Sequence, residues 1–372
     1  MQEIRQLTGL RGIAALNVAL IHLSFVEYRP FFSLIGFHDA AVDLFFCLSG
    51  FTLFMVYGAG TAAKLDVRSY LVARLARVYP LYLLCLVIAG LTFTKWDTQF
   101  WSAVYPPARA LPDFIRQALM VNYWPFIGTG THWDHPSWSL SVEALCYVLV
   151  FPVLFTGFRA VETMRTWVKA AALALLSFGT FYLYAKYWDP NLLAPSLYQP
   201  KTEWNLLCAP LRGILMFSAG AIIYASHKAN DPIAVACRES SDALSLGVLI
   251  VAIASYMGLL ERQWVVVLFP AIILGLMNGT SYTAKLLAWR PIHYLGELSY
   301  SIYLIHMPAW HFVGLYMPWA TKSDAVRLPV EMTVVLGASA ASYHLFEKPA
   351  RRIIRSTLSN TPKNGITAPT DS

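Results

Sequence analysis

LTGLRGIAALNVALIHLSF (residues 7–25) is nineteen residues long and apolar apart from Thr8, Arg11, Asn17, His22 and Ser24. A run of roughly twenty such residues is enough for a helix to cross a bilayer. Arg11 and His22 lie inside it, and ionisable groups at that depth are expensive unless they face a protein interior or a wet cavity. Eleven residues at about 100° each make roughly three full turns, so both side chains project from one helix face. They are about 16 Å apart along the axis. One face therefore carries a fixed cation near one membrane surface and a titratable imidazole much deeper. That spacing suits a long anionic substrate bound end-on, with proton chemistry at its far end.

The rest of the chain agrees with a membrane setting. Of its 372 residues 57% are hydrophobic and 13% charged, and the mean hydropathy is +0.51. A soluble domain carries about 25% charged residues. Apolar runs predict an all-α, polytopic bundle of about ten transmembrane helices. The spans are Leu7–Tyr28, Ala40–Tyr57, Val78–Phe93, Ser137–Phe155, Ala170–Tyr187, Leu206–Ala225, Leu244–Leu260, Trp264–Gly279, Tyr294–Tyr316 and Leu328–Phe346. With the N-terminus inside, 18 lysines and arginines fall on the cytoplasmic side and 9 outside, and Arg212 lies within a span. This bias predicts that both termini are cytoplasmic.

The net charge of +7 is mainly that inner surplus, so no nucleic-acid partner is implied. Cys47, Cys85, Cys146, Cys208 and Cys237 are scattered, mostly within spans, and imply neither a disulfide framework nor a metal site. His132 and His135 form an H-x-x-H pair without a third ligand at a recognised spacing. No cleavable signal peptide is expected, because Arg11 interrupts the first apolar run and no small-residue cleavage site follows. The organisation expected is one transmembrane domain over residues 1–355 and a disordered cytoplasmic tail over 356–372. The loop Thr94–Pro136 is expected outside, as a cap or re-entrant element.

Several polar groups are candidates for chemistry. Arg74 and Arg77, one turn apart before the third span, can grip an oxyanion through paired donors, or simply anchor the span at the inner surface. Asp43 opens the second span, where a carboxylate also serves as a helix cap. Ser49 and Gly50 follow. The serine is a possible nucleophile without an elbow motif, and the glycine permits close helix approach. Glu143 lies about two turns into the fourth span, preceded by Trp138, Ser139 and Ser141. It is expected at the depth of His22, where it would orient the imidazole, or else it is a buried packing group. His306, with Tyr300 nearby, lies in the ninth span as a second catalytic histidine or a cavity-lining group. Glu347 and Arg351 read as surface anchors.

LTGLRGIAALNVALIH, DLFFCLSGF, RLARVYPLY, SWSLSVE, LGELSYSIYLIHMP and FEKPARR, in this order from Leu7 to about Arg352, resemble the acyltransferase-3 family of bacterial integral membrane O-acyltransferases. The resemblance implies a multi-pass protein of the cytoplasmic membrane that moves an acyl group, commonly acetyl, from coenzyme A to a sugar hydroxyl. The acceptor would be a surface polysaccharide or a lipid-linked glycan. It makes Arg11 and His22 the essential pair and Arg74 and Arg77 the arginines on the coenzyme A side. It puts Ser49, Gly50 and Glu143 in the family's site motifs. Some members carry an additional soluble hydrolase-like domain, which is not expected here.

Taken together, coenzyme A phosphates are expected at Arg11, Arg74 and Arg77. His22 is expected as general base, with Glu143 or Asp43 stabilising the imidazolium. Ser49, Ser141, Trp138 and Tyr300 are candidate oxyanion donors. Acyl coenzyme A is a co-substrate, and no permanently bound cofactor is expected. The competing class is a secondary transporter or export component for a glycan or anion, which also carries intramembrane charges. Neither an inverted repeat nor matched broken helices favour it.

Overall fold

The computed structural model describes residues 3–22, 40–58, 65–96, 107–130, 133, 134, 136–187 and 202–358. The described residues are helical, without a strand. The first half comprises α1 (Arg5–His22), α2 (Ala40–Tyr57), α3 (Val67–Trp96), α4 (Pro107–Ala118), α5 (Ser137–Leu145), α6 (Phe151–Thr156), α7 (Phe158–Thr163) and α8 (Thr166–Tyr187). The second half comprises α9 (Thr202–Ala229), α10 (Pro232–Glu239), α11 (Ser241–Tyr256), α12 (Val265–Leu276), α13 (Tyr282–Leu287), α14 (Arg290–Glu297), α15 (Ser299–Tyr316), α16 (Asp324–Ser342) and α17 (Lys348–Leu358).

Five stretches are long and apolar enough to cross a membrane: Ala40–Tyr57, Val67–Leu91, Ser137–Thr156, Thr166–Ala185 and Leu206–Ala229. Helices α1, α15 and α16 are less apolar because they carry polar side chains on their inward faces, among them Ser301, His306 and Glu331. The third expected span is longer than its apolar run. Its helix begins at Val67, so Arg74 and Arg77 lie on a continuous helix. The ninth is broken at Leu298, between α14 and α15. Residues 23–39 and 359–372 lie outside the described residues, whereas Ser356–Leu358, expected in the tail, end α17.

Two π-helical segments interrupt regular helices, π1 at Cys146–Val150 and π2 at Tyr343–Glu347. Each is followed by one residue and then a proline, Pro152 and Pro349. A proline has no N–H and its ring crowds the carbonyl four residues back, so a widened turn just before it relieves both problems.

Glycines set the tightest crossings. A Cβ on Gly12 of α1 would lie 2.4 Å from the Gly296 nitrogen of α14, and one on Gly296 would lie 2.0 Å from the Thr8 carbonyl oxygen. The helix backbones touch there, as small residues allow in membrane bundles. Gly296→Val is expected to lower stability by about 1–3 kcal/mol by forcing α1 off α14. Thermal unfolding in detergent measures it, and a wild-type melting temperature would refute the contact. Gly50 plays the same part between α2 and α9, since its Cβ would lie 2.1 Å from the Phe217 carbonyl oxygen.

Candidate active site

Helix α1 packs on α14 and α15, and α15 packs in turn on α3. These contacts bring polar residues of distant sequence together at two levels. At the first, Arg11 of α1 and Arg77 of α3 are within electrostatic range of each other, and both face Glu143 and Tyr147. Arg74 also faces Arg77 and Tyr147. None of the three arginines makes a hydrogen bond or ion pair to a described residue, and the Nε of Arg74 is buried. Guanidiniums that outnumber the carboxylate they face, and that form no direct ion pair with it, suit an oxyanion.

Glu143 is fixed at that same level. Its Oε1 accepts from the Ser49 hydroxyl at 2.7 Å and from the Tyr147 hydroxyl. The carboxylate expected beside His22 is not bonded to it, because Ser49 of α2 and Tyr147 of π1 hold it on the arginine side.

At the second level His22 meets His306 of α15, with ring centroids 5.0 Å apart. The two imidazoles are mounted alike. His22 Nδ1 is 2.9 Å from the Val18 carbonyl oxygen, and His306 Nδ1 is 3.2 Å from that of Ile302. A carbonyl only accepts, so each Nδ1 carries a proton, and in the neutral form of either ring the lone pair lies on Nε2. Tyr303 lies edge-on to His306, and its hydroxyl shares a 2.5 Å hydrogen bond with Ser139 of α5. Three helices thus each contribute to both levels: α1 gives Arg11 and His22, α5 gives Glu143 and Ser139, and α15 gives Ser301 and His306.

Other expected site residues have different work. Asp43 is fully buried and gripped by Arg212 of α9, Nη2 to Oδ2 at 2.6 Å and Nε to Oδ1 at 3.2 Å. Arg212 also covers the Tyr184 ring at 4.2 Å. The charge of Asp43 therefore answers a buried cation. Gly50 belongs to the α2–α9 crossing rather than to a cofactor surface. Tyr300 donates to the Val78 carbonyl at 2.5 Å, so its proton is committed to α3. The Ser141 hydroxyl oxygen accepts from the Tyr123 backbone N–H at 2.9 Å, and Trp138 packs against Phe46 and Tyr123. Both hold the segment around Tyr123 to α5.

His132 and His135 lie outside the described residues. Asp134 between them is buried, with no hydrogen bond to either carboxyl oxygen, and burial pushes its carboxyl up to about 7.

Tyr147 and Ser301 reach the first level unannounced by the sequence, and Glu347 and Arg351, expected as surface anchors, reach it too. Glu347 Oε2 accepts from Ser301 at 2.9 Å, and its Oε1 accepts from Arg351 at 2.8 Å. The available signal was the pair of prolines, Pro152 and Pro349. The π segments before them end helices out of register and aim Tyr147 and Glu347 inward, as such segments do at many functional sites.

Comparison with known proteins gives the same picture. Acyltransferase MdmB of Streptomyces mycarofaciens is 26% identical over 380 residues, covering 95% of this chain and 92% of that protein. The peptidoglycan O-acetyltransferase OatA of Listeria monocytogenes is 24% identical over 374 residues, covering 94% of this chain and 56% of that protein. The O-acetyltransferase OatA of Staphylococcus aureus is 24% identical over 371 residues, covering 93% and 57%. The chain thus spans just over half the length of these OatA proteins. No solved structure matches it. A family description of an acyltransferase domain matches residues 4–340, and with that match across most of its length the chain belongs to the acyltransferase-3 family.

Proposed function

We propose that the chain is an O-acyltransferase of the bacterial cytoplasmic membrane, with about ten spans and both termini in the cytoplasm. It takes an acyl group, acetyl in the simplest case, from acyl coenzyme A and transfers it to a sugar hydroxyl of a surface or lipid-linked glycan. The observation that carries this reading is the position of three arginines, unpaired with any described residue, at the foot of the helix that presents His22. Coenzyme A has the matching shape, a phosphorylated head and a long thin arm ending in the thioester. The head binds Arg11, Arg74 and Arg77 from the cytoplasmic side, and the arm runs along α1 toward the histidines.

His22 Nε2 takes the proton of the acceptor hydroxyl as the oxygen attacks the thioester carbonyl carbon. The C–S bond then breaks, and the departing thiolate takes that proton from His22, giving the ester and free coenzyme A. His306 stands beside His22 and brings a second Nε2 to the same place. The Listeria OatA relative is named as a peptidoglycan O-acetyltransferase, which supports a glycan acceptor for this chain.

The test is thiol release by the purified full chain given acetyl coenzyme A with and without a glycan fragment bearing free hydroxyls. The expected result is free coenzyme A only when both substrates are present, with the acetyl group recovered on the glycan. Transport of either substrate in proteoliposomes without ester formation would overturn the proposal.

A further inference from the structure

The first level of the site holds one more cation than the three arginines expected there. Arg351 lies on α17, which packs along α3, the helix of Arg74 and Arg77. Its Nη2 donates to Glu347 one turn back at 2.8 Å, and Glu347 is held in turn by Ser301 of α15. This fixes the guanidinium while leaving its Nε buried with no acceptor, as is the Nε of Arg74. Of the charges that face Arg77, Arg351 acts most strongly and Arg74 next.

Four guanidiniums from α1, α3 and α17 therefore converge on two carboxylates, Glu143 and Glu347. Like charges held together at a partly buried site are unfavourable unless an anion joins them. The shortfall of negative charge matches a polyanion better than a single phosphate. An anchoring role at the membrane surface explains neither the buried Nε nor the approach to Arg77.

We propose that Arg351 is a fourth donor-binding arginine, and that α17 forms the wall of the site against which the phosphates of the coenzyme A donor are gripped. This rests on the acyl coenzyme A reading above. Arg351 binds through its Nε edge while Glu347 keeps it oriented, so Glu347 is a positioning residue.

The experiment uses the full chain in detergent, with Arg351→Ala and Arg351→Lys. Initial rates are measured against acetyl coenzyme A, and the thermal shift is measured with coenzyme A alone. Arg351→Ala is expected to raise the donor KM about tenfold or more, the value of one charge-assisted hydrogen bond. Its kcat and acceptor KM should stay within about twofold, and the shift with coenzyme A should shrink. Arg351→Lys retains the ion pair to Glu347 but loses the planar fork, so its donor KM should fall between the two. An unchanged donor KM and thermal shift in Arg351→Ala would overturn the assignment. If that variant does not fold, a wild-type donor KM in Arg351→Lys does so. A wild-type chain that neither shifts with coenzyme A nor releases it would instead remove the acyl coenzyme A reading itself.

Discussion

His22→Ala is expected to lower kcat about 10²–10⁴-fold, the usual worth of a positioned general base, with expression and melting temperature close to wild type. Its described hydrogen bond goes to Val18 in its own helix and its ring meets His306 of α15, so the melting temperature is measured beside the rate. The arginines stand about three turns away and keep their places, so coenzyme A should still raise the melting temperature of the variant. Loss of turnover with retained donor binding is the signature. Equal turnover in folded His22→Ala protein would end the mechanism, and loss of the coenzyme A shift would mean that the substitution had disturbed the bundle. His306→Ala is the companion measurement. It empties a fully buried position, so its effect on stability must be read beside its effect on rate.

Arg212→Ala is expected to cost about 3–5 kcal/mol, the penalty for leaving one member of a buried ion pair behind. Arg212 and Asp43 are both fully buried and join α9 to α2 across the crossing made by Gly50 and Gly220. In a domain of ordinary marginal stability that loss is enough to prevent accumulation of folded protein. Replacing both charges, as in Asp43→Asn with Arg212→Leu, should restore much of the stability, since a neutral pair leaves no uncompensated ion. Size-exclusion profiles and thermal unfolding in detergent measure this. The double variant also separates packing from catalysis. If it folds and retains turnover, Asp43 serves the α2–α9 joint. A folded single variant, Arg212→Ala, with a wild-type melting temperature would contradict the ion pair as a structural element.

Much of the site could be read before any coordinates. Arg11 and His22 share a helix, so an eleven-residue spacing fixes their common face and their separation. Arg74 and Arg77 share another, one turn apart. Glu143 was also identifiable as an unusual carboxylate in an apolar span, but its partner was not. Depth counted along two antiparallel helices carries an error of a turn or more, because helices tilt and start at different heights. That error was enough to assign Glu143 to His22 when Ser49 and Tyr147 hold it instead. The ion pair of Asp43 was hidden for a related reason. Its answer, Arg212, lies 169 residues away, and nothing local to either residue indicates the pairing.

By itself the sequence determined the helical membrane character, the family motifs and every relation that lives on one helix, because a fixed rise and turn per residue convert spacing into geometry. Only the tertiary structure decided which charge meets which, that His306 stands beside His22, and that the last helix returns to the arginines of α3. Those outcomes depend on how helices cross, at glycine contacts and π segments. A crossing is fixed by the packing of both surfaces together, which neither stretch of sequence contains alone.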